Sequence, residues 1–270
     1  NAFTGALTIT TNDSSGTDAD VTIDGGTTAL IIAASTIDGD LTLTSGNASG
    51  ITDSGTVTVG GNLSATTDAN AGVINLGTMA VDGSFTLAPN GSGAVTIVND
   101  AALTLAASTM GGTFSGTATT GDITDSGTLT ITGAAIFKTG ADGSNIVLDS
   151  SSNAFSAAVT MIADAGGEDF GNITFVDSAA IDFATSASSN GDLYINSSTD
   201  GTVGGNLSVT ATTGNITDTV ALAVAGTTTL VTSADDATIV LDVTTNAFTG
   251  ALTITTNDSS GTDADVTIDG

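Results

Sequence analysis

Apolar residues alternate with threonine or serine in short runs along the whole chain. Examples are Leu7-Thr8-Ile9, Val57-Thr58-Val59, Leu103-Thr104-Leu105, Leu129-Thr130-Ile131 and Leu207-Ser208-Val209. A period of two places every second side chain on one face, so each run predicts a strand with one buried face. Clusters of Gly, Asn and Asp follow almost every run and supply the backbone conformations that tight turns need. No stretch keeps a helical period for more than about one or two turns, so the pattern predicts an all-β protein.

The chain repeats itself at two scales. Its opening segment, Asn1–Gly25, recurs unchanged as Asn246–Gly270, so the sequence starts again at position 246. Inside this long repeat, the segment from Ile123 aligns without gaps to the segment from Ile216, with 18 of 55 positions identical, and a third copy starts at Ile51. The predicted organisation is one repeat period over residues 1–245, with modules that start near 51, 123 and 216, followed by the start of the next identical repeat at 246–270. The last module runs across the period boundary.

Very short strands, frequent turns and nested repeats favour a parallel β-helix, or β-solenoid, in which each coil pairs with the coils above and below it. Coils of roughly 18 to 23 residues would give about four coils per module and about twelve per period. Tandem immunoglobulin-like β-sandwiches are the alternative, because successive module starts are separated by about the length of a small β domain. Sandwich cores often contain a buried tryptophan. The chain has none, so we prefer the solenoid.

The composition narrows the classes of function. The chain has 29 acidic residues, a single basic residue, Lys138, no histidine, and a formal net charge of −28. Phosphate binding depends on Lys and Arg, so nucleic acid is not an expected partner, and anionic membranes are disfavoured for the same reason. A Ser-His-Asp triad needs a histidine, and we expect no enzyme and no catalytic residues. No apolar run approaches the roughly 20 residues of a membrane-spanning helix.

Two stretches resemble a known family. They are GDITDSGTLTITG, at Gly121–Gly133, and GGNLSVTATTGNITD, at Gly204–Asp218. Both are similar to the repeats of filamentous haemagglutinin and related very large secreted bacterial adhesins, and the similarity extends over nearly the whole chain. The resemblance implies a right-handed parallel β-helix that is exported to the bacterial cell surface, where it acts as a long stalk or an adhesive fibre.

Acidic clusters are the candidate binding sites in this sequence. Carboxylate oxygens suit Ca²⁺, which makes it the one cofactor to consider. The candidate ligands are Asp13, Asp18 and Asp20 in NDSSGTDAD, and Asp164, Glu168 and Asp169 in DAGGEDF. Their spacing matches neither the EF-hand loop nor the glycine-rich nonapeptide of calcium β-rolls. The alternative is that these residues, like Asp235 and Asp236, are solvated turn carboxylates, which is the usual role of Asp in turns.

Two functions remain open. The first is a structural repeat segment of a long extracellular or cell-surface bacterial fibre, which acts as a stalk or in cell attachment. The second is an adhesin whose repeats bind a glycan or protein directly, with Ca²⁺ as a candidate requirement. Regular repeats favour the first, and further copies of the same repeat, joined end to end, are the expected partners. Phe3, Phe155 and Phe248 occupy corresponding positions of the modules, and we expect them to stack in the core.

Overall fold

The computed structural model describes residues 2–11, 18–163, 171–184, 192–196, 202–260 and 264–270. Within these residues the chain forms β-strands and no helix. Neighbouring strands pair in parallel throughout. The predicted all-β parallel solenoid is therefore confirmed. The alternative of immunoglobulin-like sandwiches is wrong, because that fold requires antiparallel sheets.

The strands are short, and most have two to five residues. In chain order they are Val21–Asp24 (β1), Leu30–Ile32 (β2), Ser35–Ile37 (β3), Leu41–Ser45 (β4), Ile51–Asp53 (β5), Val57–Val59 (β6), Leu63–Thr67 (β7), Ile74–Val81 (β8), Ser84–Ala88 (β9), Val95–Asn99 (β10), Leu103–Leu105 (β11), Ser108–Met110 (β12), Phe114–Ala118 (β13), Ile123–Asp125 (β14), Leu129–Ile131 (β15), Ala135–Thr139 (β16), Ile146–Leu148 (β17), Ala154–Phe155 (β18), Val159–Ile162 (β19), Ile173–Asp177 (β20), Ile181–Phe183 (β21), Asp192–Asn196 (β22), Thr202–Val203 (β23), Leu207–Ala211 (β24), Ile216–Asp218 (β25), Ala223–Val224 (β26), Thr228–Asp235 (β27), Ile239–Leu241 (β28), Ala247–Phe248 (β29), Leu252–Asn257 (β30) and Val266–Ile268 (β31).

Two long sheets contain most of these strands. The first, sheet A, has fourteen strands, and its main path is β2-β5-β8-β10-β13-β16-β19-β22-β21-β25-β28-β31, with β3 and β6 attached beside it. The second, sheet B, has eleven strands in the order β1-β4-β7-β9-β11-β14-β17-β20-β24-β27-β30. Two small sheets, β12-β15-β18 and β23-β26-β29, complete the coils.

The chain rises by one strand spacing of sheet B in each coil. Coil length is read from residues at equivalent corners: Asp20 and Asp40 are 20 residues apart, whereas Asn172 and Asn206 are 34 residues apart. The longest coil places two strands, β21 and β22, in sheet A. Eleven stacked strands of sheet B correspond to about ten coils. Since neighbouring strands lie about 4.8 Å apart, the described rod is about 48 Å tall.

The core is a narrow column enclosed by the coils. In β4, for example, Leu41 and Leu43 are buried while Thr42 and Thr44 between them face outward. The same alternation recurs from strand to strand, so the period of two in the sequence is the inside–outside pattern of the sheets. The inward residues are mainly Leu, Ile and Val, with some Ala, Phe and Met.

Aromatic rings stack along the column over several successive coils. Phe114, Phe137, Phe155 and Phe175 form a continuous stack, with ring centroids 5.1, 6.1 and 5.1 Å apart. The prediction that Phe155 stacks in the core is confirmed. Phe3 and Phe248 are only partly buried against the core, because each lies in a coil at one end of the described rod.

The three modules begin on alternate sheets. The first starts with β5 in sheet A, the second with β14 in sheet B, and the third with β25 in sheet A again. The successive sheet-A partners above Ile51 are Ile74, Val95 and Phe114, after which the chain crosses to sheet B and reaches Ile123. A module therefore occupies three and a half coils.

The number of coils per module differs from the expectation. About four were expected from an assumed coil of roughly 18 to 23 residues. Individual coils exceed that length, as the 34 residues from Asn172 to Asn206 show. Longer coils mean that fewer of them fit into each module.

The short strands confirm the exchange of faces between modules. Strands β3 and β6 follow a sheet-A strand and precede a sheet-B strand. Strand β12, in the last coil of the first module, and strands β15 and β18, in the second module, follow a sheet-B strand instead. Strand β23, near the end of the second module, and strands β26 and β29, in the third, again follow a sheet-A strand. The same sequence pattern is thus rotated by half a coil from one module to the next.

Candidate functional site

A ladder of Asp and Asn side chains builds one corner of the rod. The Asp20 carboxylate accepts a hydrogen bond from the backbone N–H of Asp40 at 2.8 Å. Asp40 Oδ1 accepts from the backbone N–H of Asn62 at 2.6 Å and from its side-chain amide at 3.2 Å. Asn62 Oδ1 then accepts from the N–H and the hydroxyl of Ser84, both at 2.9 Å. Each corner is therefore held by the coil before it.

A second ladder of the same kind runs from Asp122 to Thr227. Asp122 Oδ1 accepts the backbone N–H of Asn145 at 2.7 Å, and Asn145 Oδ1 accepts that of Asn172 at 2.8 Å. Asn206 continues the ladder, since its N–H donates to Asn172 Oδ1 at 2.8 Å and its own Oδ1 accepts from Thr227 N–H at 2.7 Å. These side chains satisfy backbone donors that lie between the strands, where no sheet partner is available.

The ITD motif has a specific structural role. Asp125, the last residue of the second ITD motif, accepts the backbone N–H of Asp149 at 2.9 Å and that of Ser150 at 3.1 Å. Its Oδ2 also accepts from the side-chain amide of Asn153 at 2.7 Å. Asn153 is fully buried, and its Oδ1 accepts the N–H of Leu129 at 2.8 Å. The motif thus fixes the turn of the following coil.

The third module repeats these contacts. Asp218 accepts the N–H of Asp242 at 2.9 Å and the side-chain amide of Asn246 at 2.7 Å. Asn246 Oδ1 accepts the N–H of Leu222 at 2.7 Å. The recurrence explains why ITD and the later Asn-Ala-Phe occur together in both modules: the aspartate pairs with a buried asparagine of the neighbouring coil.

Three carboxylates meet on the surface at the end of β27. Asp235, Asp236 and Asp258 are all exposed, and each offers a ligand oxygen within 4.8 Å of the others. Asp235 accepts from the N–H of Ser259 at 2.6 Å, from its hydroxyl at 3.0 Å, and from the hydroxyl of Ser260. These donors, Ser260 first, lower the pKa of Asp235. Asp236 has a φ of 61°, a left-handed conformation that Asp tolerates better than most residues.

The chemistry of this cluster is that of a partial ligand shell for a hard cation. Ca²⁺ takes six to eight oxygen ligands, so three carboxylates would need water to complete the shell. Asp258 is the copy, one period later, of Asp13. The copy of the candidate Ca²⁺ ligand Asp13 therefore lies in this three-carboxylate cluster. The other two members of the cluster, Asp235 and Asp236, come from the preceding coil.

The six candidate Ca²⁺ ligands fall in different places. Asp18 and Asp20 are both exposed, and Asp20 is the first acceptor of the corner ladder. The other four, Asp13, Asp164, Glu168 and Asp169, lie outside the described residues. Ca²⁺ binding by these six residues stays a prediction.

Comparison with known families supplies a further observation. Residues 18–78, 92–162 and 189–255, nearly three quarters of the chain, match a family described as Repeats of unknown function (DUF5649). The chain belongs to this family. No curated protein matches the chain, and no solved structure matches it.

Each DUF5649 stretch contains one ITD motif, at the start of its module. In the modules that begin at Ile123 and Ile216, the motif aspartate pairs with a buried asparagine. In the first module, Asp53 instead accepts the backbone N–H groups of Gly77 at 2.8 Å and Thr78 at 2.7 Å. The aspartate of the ITD motif therefore anchors the next coil in all three modules of this chain.

Two carboxyl groups of this DUF5649 chain are buried among the described residues, Asp218 of the third ITD motif and Asp177. Asp177, at the end of β20, is 3% exposed and accepts the N–H of Phe155 at 3.0 Å. Burial raises the pKa of Asp177 to about 6, although backbone N–H groups of Phe155, Ser178 and Ala179 act in the opposite direction.

A neutral side chain has the equivalent place at the end of β10. Asn99 is fully buried, and its Oδ1 accepts the N–H of Val81 at 2.9 Å. Sequence reasoning missed both Asn99 and Asp177, because nothing local distinguishes an inward polar residue at a strand end.

A depression on the described surface of the DUF5649 repeats lies beside β8. It has a volume of about 270 Å³, is open to solvent, and is lined in part by Thr56, Thr78, Asp100 and Thr119. Its lining surface is mostly apolar, with Met79 and Val98 beside the threonines and the single aspartate. None of the described residues forms a helix that is long and apolar enough to cross a membrane.

Proposed function

We propose that the chain is a structural repeat segment of a long extracellular bacterial filament, which acts as a stalk between the cell and its surroundings. The observation that carries this proposal is the unbroken parallel ladder of sheet B, in which eleven strands stack without interruption from β1 to β30. A rod whose every coil is hydrogen-bonded to the next resists bending and extends by adding coils.

The surface chemistry supports the same role. The chain has 29 acidic residues and one basic residue, Lys138, whose side chain is exposed on β16. Such a charge keeps neighbouring filaments apart in water and is screened at higher ionic strength. Almost complete absence of Lys and Arg also removes the cleavage sites of trypsin-like proteases, which suits an exposed appendage.

Immunogold electron microscopy of intact bacteria of the source strain tests the proposal. Antibody raised against the purified chain should decorate filaments outside the cell, at regular intervals along each filament. An antibody against a cytosolic enzyme is the control, and it should label only permeabilised cells. Labelling confined to permeabilised cells with the antibody against the chain would overturn the proposal.

A second candidate function is direct binding of a glycan by the repeats. The depression beside β8 favours it, since the hydroxyls of Thr56, Thr78 and Thr119 and the carboxylate of Asp100 are groups that hydrogen-bond sugars. A glycan array probed with the purified chain and with a Thr119→Val, Asp100→Asn variant separates the two functions. Binding that the variant loses would support an adhesin, and absence of binding by both chains would leave the stalk role alone.

A further inference from the structure

The two identical terminal segments lie on different sheets. Val21–Asp24 is β1 and belongs to sheet B, where it pairs with β4. The same sequence one period later contains Val266–Ile268, which forms β31 in sheet A and pairs with β28. Each copy lies at one end of its sheet, so each copy shows how this segment pairs with only one of its two neighbouring coils.

The first copy uses one set of backbone groups. The N–H of Val21 donates to the carbonyl of Asp40 at 2.8 Å, and the N–H of Gly25 donates to that of Thr44 at 2.9 Å. In a parallel ladder, alternate residues bond to opposite neighbours. Residues 21, 23 and 25 therefore point to the coil above, and residues 20, 22 and 24 point the other way.

The second copy uses the complementary set. The carbonyl of Asp265 accepts from Ile239 N–H at 3.2 Å, and the N–H of Asp269 donates to the carbonyl of Leu241 at 2.8 Å. Residues 265, 267 and 269 correspond to residues 20, 22 and 24 of the first copy. The backbone groups that bond to the coil below in the second copy are the ones that the first copy leaves unused when it bonds to the coil above. A single strand of this sequence can therefore bond to both neighbouring coils at once.

The neighbouring strand follows the same rule. In the first copy the N–H of Leu7 donates upward to the carbonyl of Ile31 at 2.9 Å. In the second copy the carbonyl of Ala251 accepts from Thr228 N–H below it at 2.9 Å. Ala251 precedes Leu252, the copy of Leu7, so the backbone groups of Leu252 itself point away from β27. These groups are therefore free to make the upward bonds that Leu7 makes.

Inward apolar residues at the upper end lack a covering coil. Val266 is 44% exposed and Ile268 is 36% exposed, although their counterparts one coil below, Ile239 and Leu241, are fully buried. A sheet-B strand such as Leu41–Ser45, which covers the first copy, would bury them.

We propose that successive copies of residues 1–245 form one continuous solenoid of ten and a half coils per repeat, so that sheet A of one repeat continues as sheet B of the next. Val266 is Val21 of the second repeat, and it then pairs with Leu41 of that second repeat. Leu252 is Leu7 of the second repeat, and it pairs with Ile32 of the same repeat. This is the half-coil step already made from one module to the next within the chain, repeated at the junction.

The half coil changes the symmetry of the filament. Since one repeat rises about 50 Å, the arrangement of faces is restored only after two repeats, about 100 Å along the axis. Every surface feature of the repeat is therefore presented alternately on the two faces. The inference goes beyond the proposed function, because it holds wherever the filament is located.

Spin labels in a tandem chain test the exchange. Residues 1–245 are followed directly by the complete 270-residue chain, and labels are attached to introduced cysteines, since the native sequence contains none. Val240→Cys in the first repeat, on sheet A, is combined with Thr42→Cys in the second, on sheet B. Both residues face outward, and if the faces exchange they lie in one column two strands apart, at about 10 Å.

The matched control combines two residues that both belong to sheet A within their own repeats. Val240→Cys in the first repeat is combined with Ile31→Cys in the second, which is also an outward residue of sheet A. Exchange places this pair on different faces, about 20 Å or more apart, so its dipolar broadening should be at least several times weaker. The reciprocal pairs, Thr229→Cys with Ile31→Cys and Thr229→Cys with Thr42→Cys, should be close and distant, respectively.

The outcomes are distinct from those of the cell-labelling experiment. Strong broadening in the two pairs that combine different sheets, and weak broadening in the two that combine the same sheet, supports the half-coil junction. The reverse result, or weak broadening in all four, overturns it. Circular dichroism of the unlabelled tandem chain must show no loss of β-signal per residue, and a junction that is unfolded by this measure also overturns it.

Discussion

Asn153 donates its side-chain amide to the Asp125 carboxylate at 2.7 Å, and the same bond joins Asn246 to Asp218 at the same distance. Each pair links the end of an ITD motif to a buried asparagine 28 residues later. Because the asparagine also accepts a backbone N–H from the preceding coil, one side chain connects two coils and a motif.

Replacement of Asn153 by alanine should lower the stability of the second module. The change leaves the buried N–H of Leu129 without its acceptor, which costs about 1–3 kcal/mol. It also removes one of the two donors to Asp125 Oδ2, which keeps the N–H of Ser150. Thermal unfolding followed by circular dichroism should show a clear decrease in Tm. Ser152→Ala, an exposed residue of the same turn, is the control and should leave the Tm unchanged. Equal Tm values for the two variants would contradict the assigned role.

The buried carboxyl of Asp177 should make stability depend on pH. Its pKa is about 6 in the folded chain against an ordinary value of 3.8, so between these values the folded state retains a proton that the unfolded state releases. The contribution of Asp177 to stability is therefore greatest below pH 4, is lost as the pH rises to about 6, and does not change above that. The loss in the free energy of unfolding is about 3 kcal/mol at most.

Asp177→Asn should remove this loss. The variant is expected to have a higher Tm than the native chain at pH 7 and a similar Tm at pH 4, measured by thermal unfolding across the pH range. Asn99→Asp is the reverse test, because Asn99 donates to the carbonyls of Val81 and Ala102, and an ionised carboxylate there would face both. It should destabilise the chain most at pH values where the new carboxyl is ionised. A pH profile that Asp177→Asn leaves unchanged would refute the explanation.

Gly116 provides the space for an aromatic ring. A Cβ at this position would lie 2.7 Å from Cζ of Phe114 and 3.0 Å from a methyl of Leu103. Gly116→Ala should therefore displace the Phe114–Phe137 stack and destabilise the chain by about 1–3 kcal/mol, as over-packing of a core does. Gly77→Ala is the matched control in another sheet-A strand, where a Cβ meets open space. Chemical denaturation should separate the two variants, and equal midpoints would contradict this packing.

Trypsin should cleave the native rod slowly despite its exposed lysine. Lys138 lies within β16, which pairs with β13 on one side and β19 on the other, so its peptide bond is held in a ladder. Asp142→Lys places a second lysine in the exposed turn that follows β16. Gel electrophoresis over a digestion time course should show rapid cleavage at position 142 and slow cleavage at 138. Rapid native cleavage at Lys138 would indicate that this coil opens easily.

The local pattern predicted the strands and their inward faces well. Val57–Val59 and Leu129–Ile131 are strands as expected, because alternation of apolar and hydroxyl residues directly encodes which side chains face the core. Leu7-Thr8-Ile9 makes a single isolated bridge, at Leu7, whereas the identical Leu252-Thr253-Ile254 lies in β30. The partners in the next coil, which sequence alone does not specify, decide the difference.

The side-chain contacts between coils could not be predicted from the sequence for the same reason. The aspartate of ITD binds an asparagine 28 residues away, and that distance depends on coil length, which varies from 20 to 34 residues between equivalent corners. The half-coil step between modules was likewise hidden, since sheets A and B accept the same kinds of strand. A shared recurrence of ITD and Asn-Ala-Phe at a fixed spacing was the signal that could have identified the pair.

The longest coil, in which Asn172 and Asn206 are 34 residues apart, has a further consequence. Ile173 pairs there with Leu207 in the same register that Val21 and Leu41 keep in a much shorter coil. The register of the strands of sheet B is thus set by pairing with the neighbouring strands and not by the length of chain that connects them. Additional segments can therefore enter a coil while this sheet continues unchanged above and below. A lineage could acquire new surface loops one at a time, and a peptide grafted by an engineer into this coil would be displayed at a defined height on the scaffold.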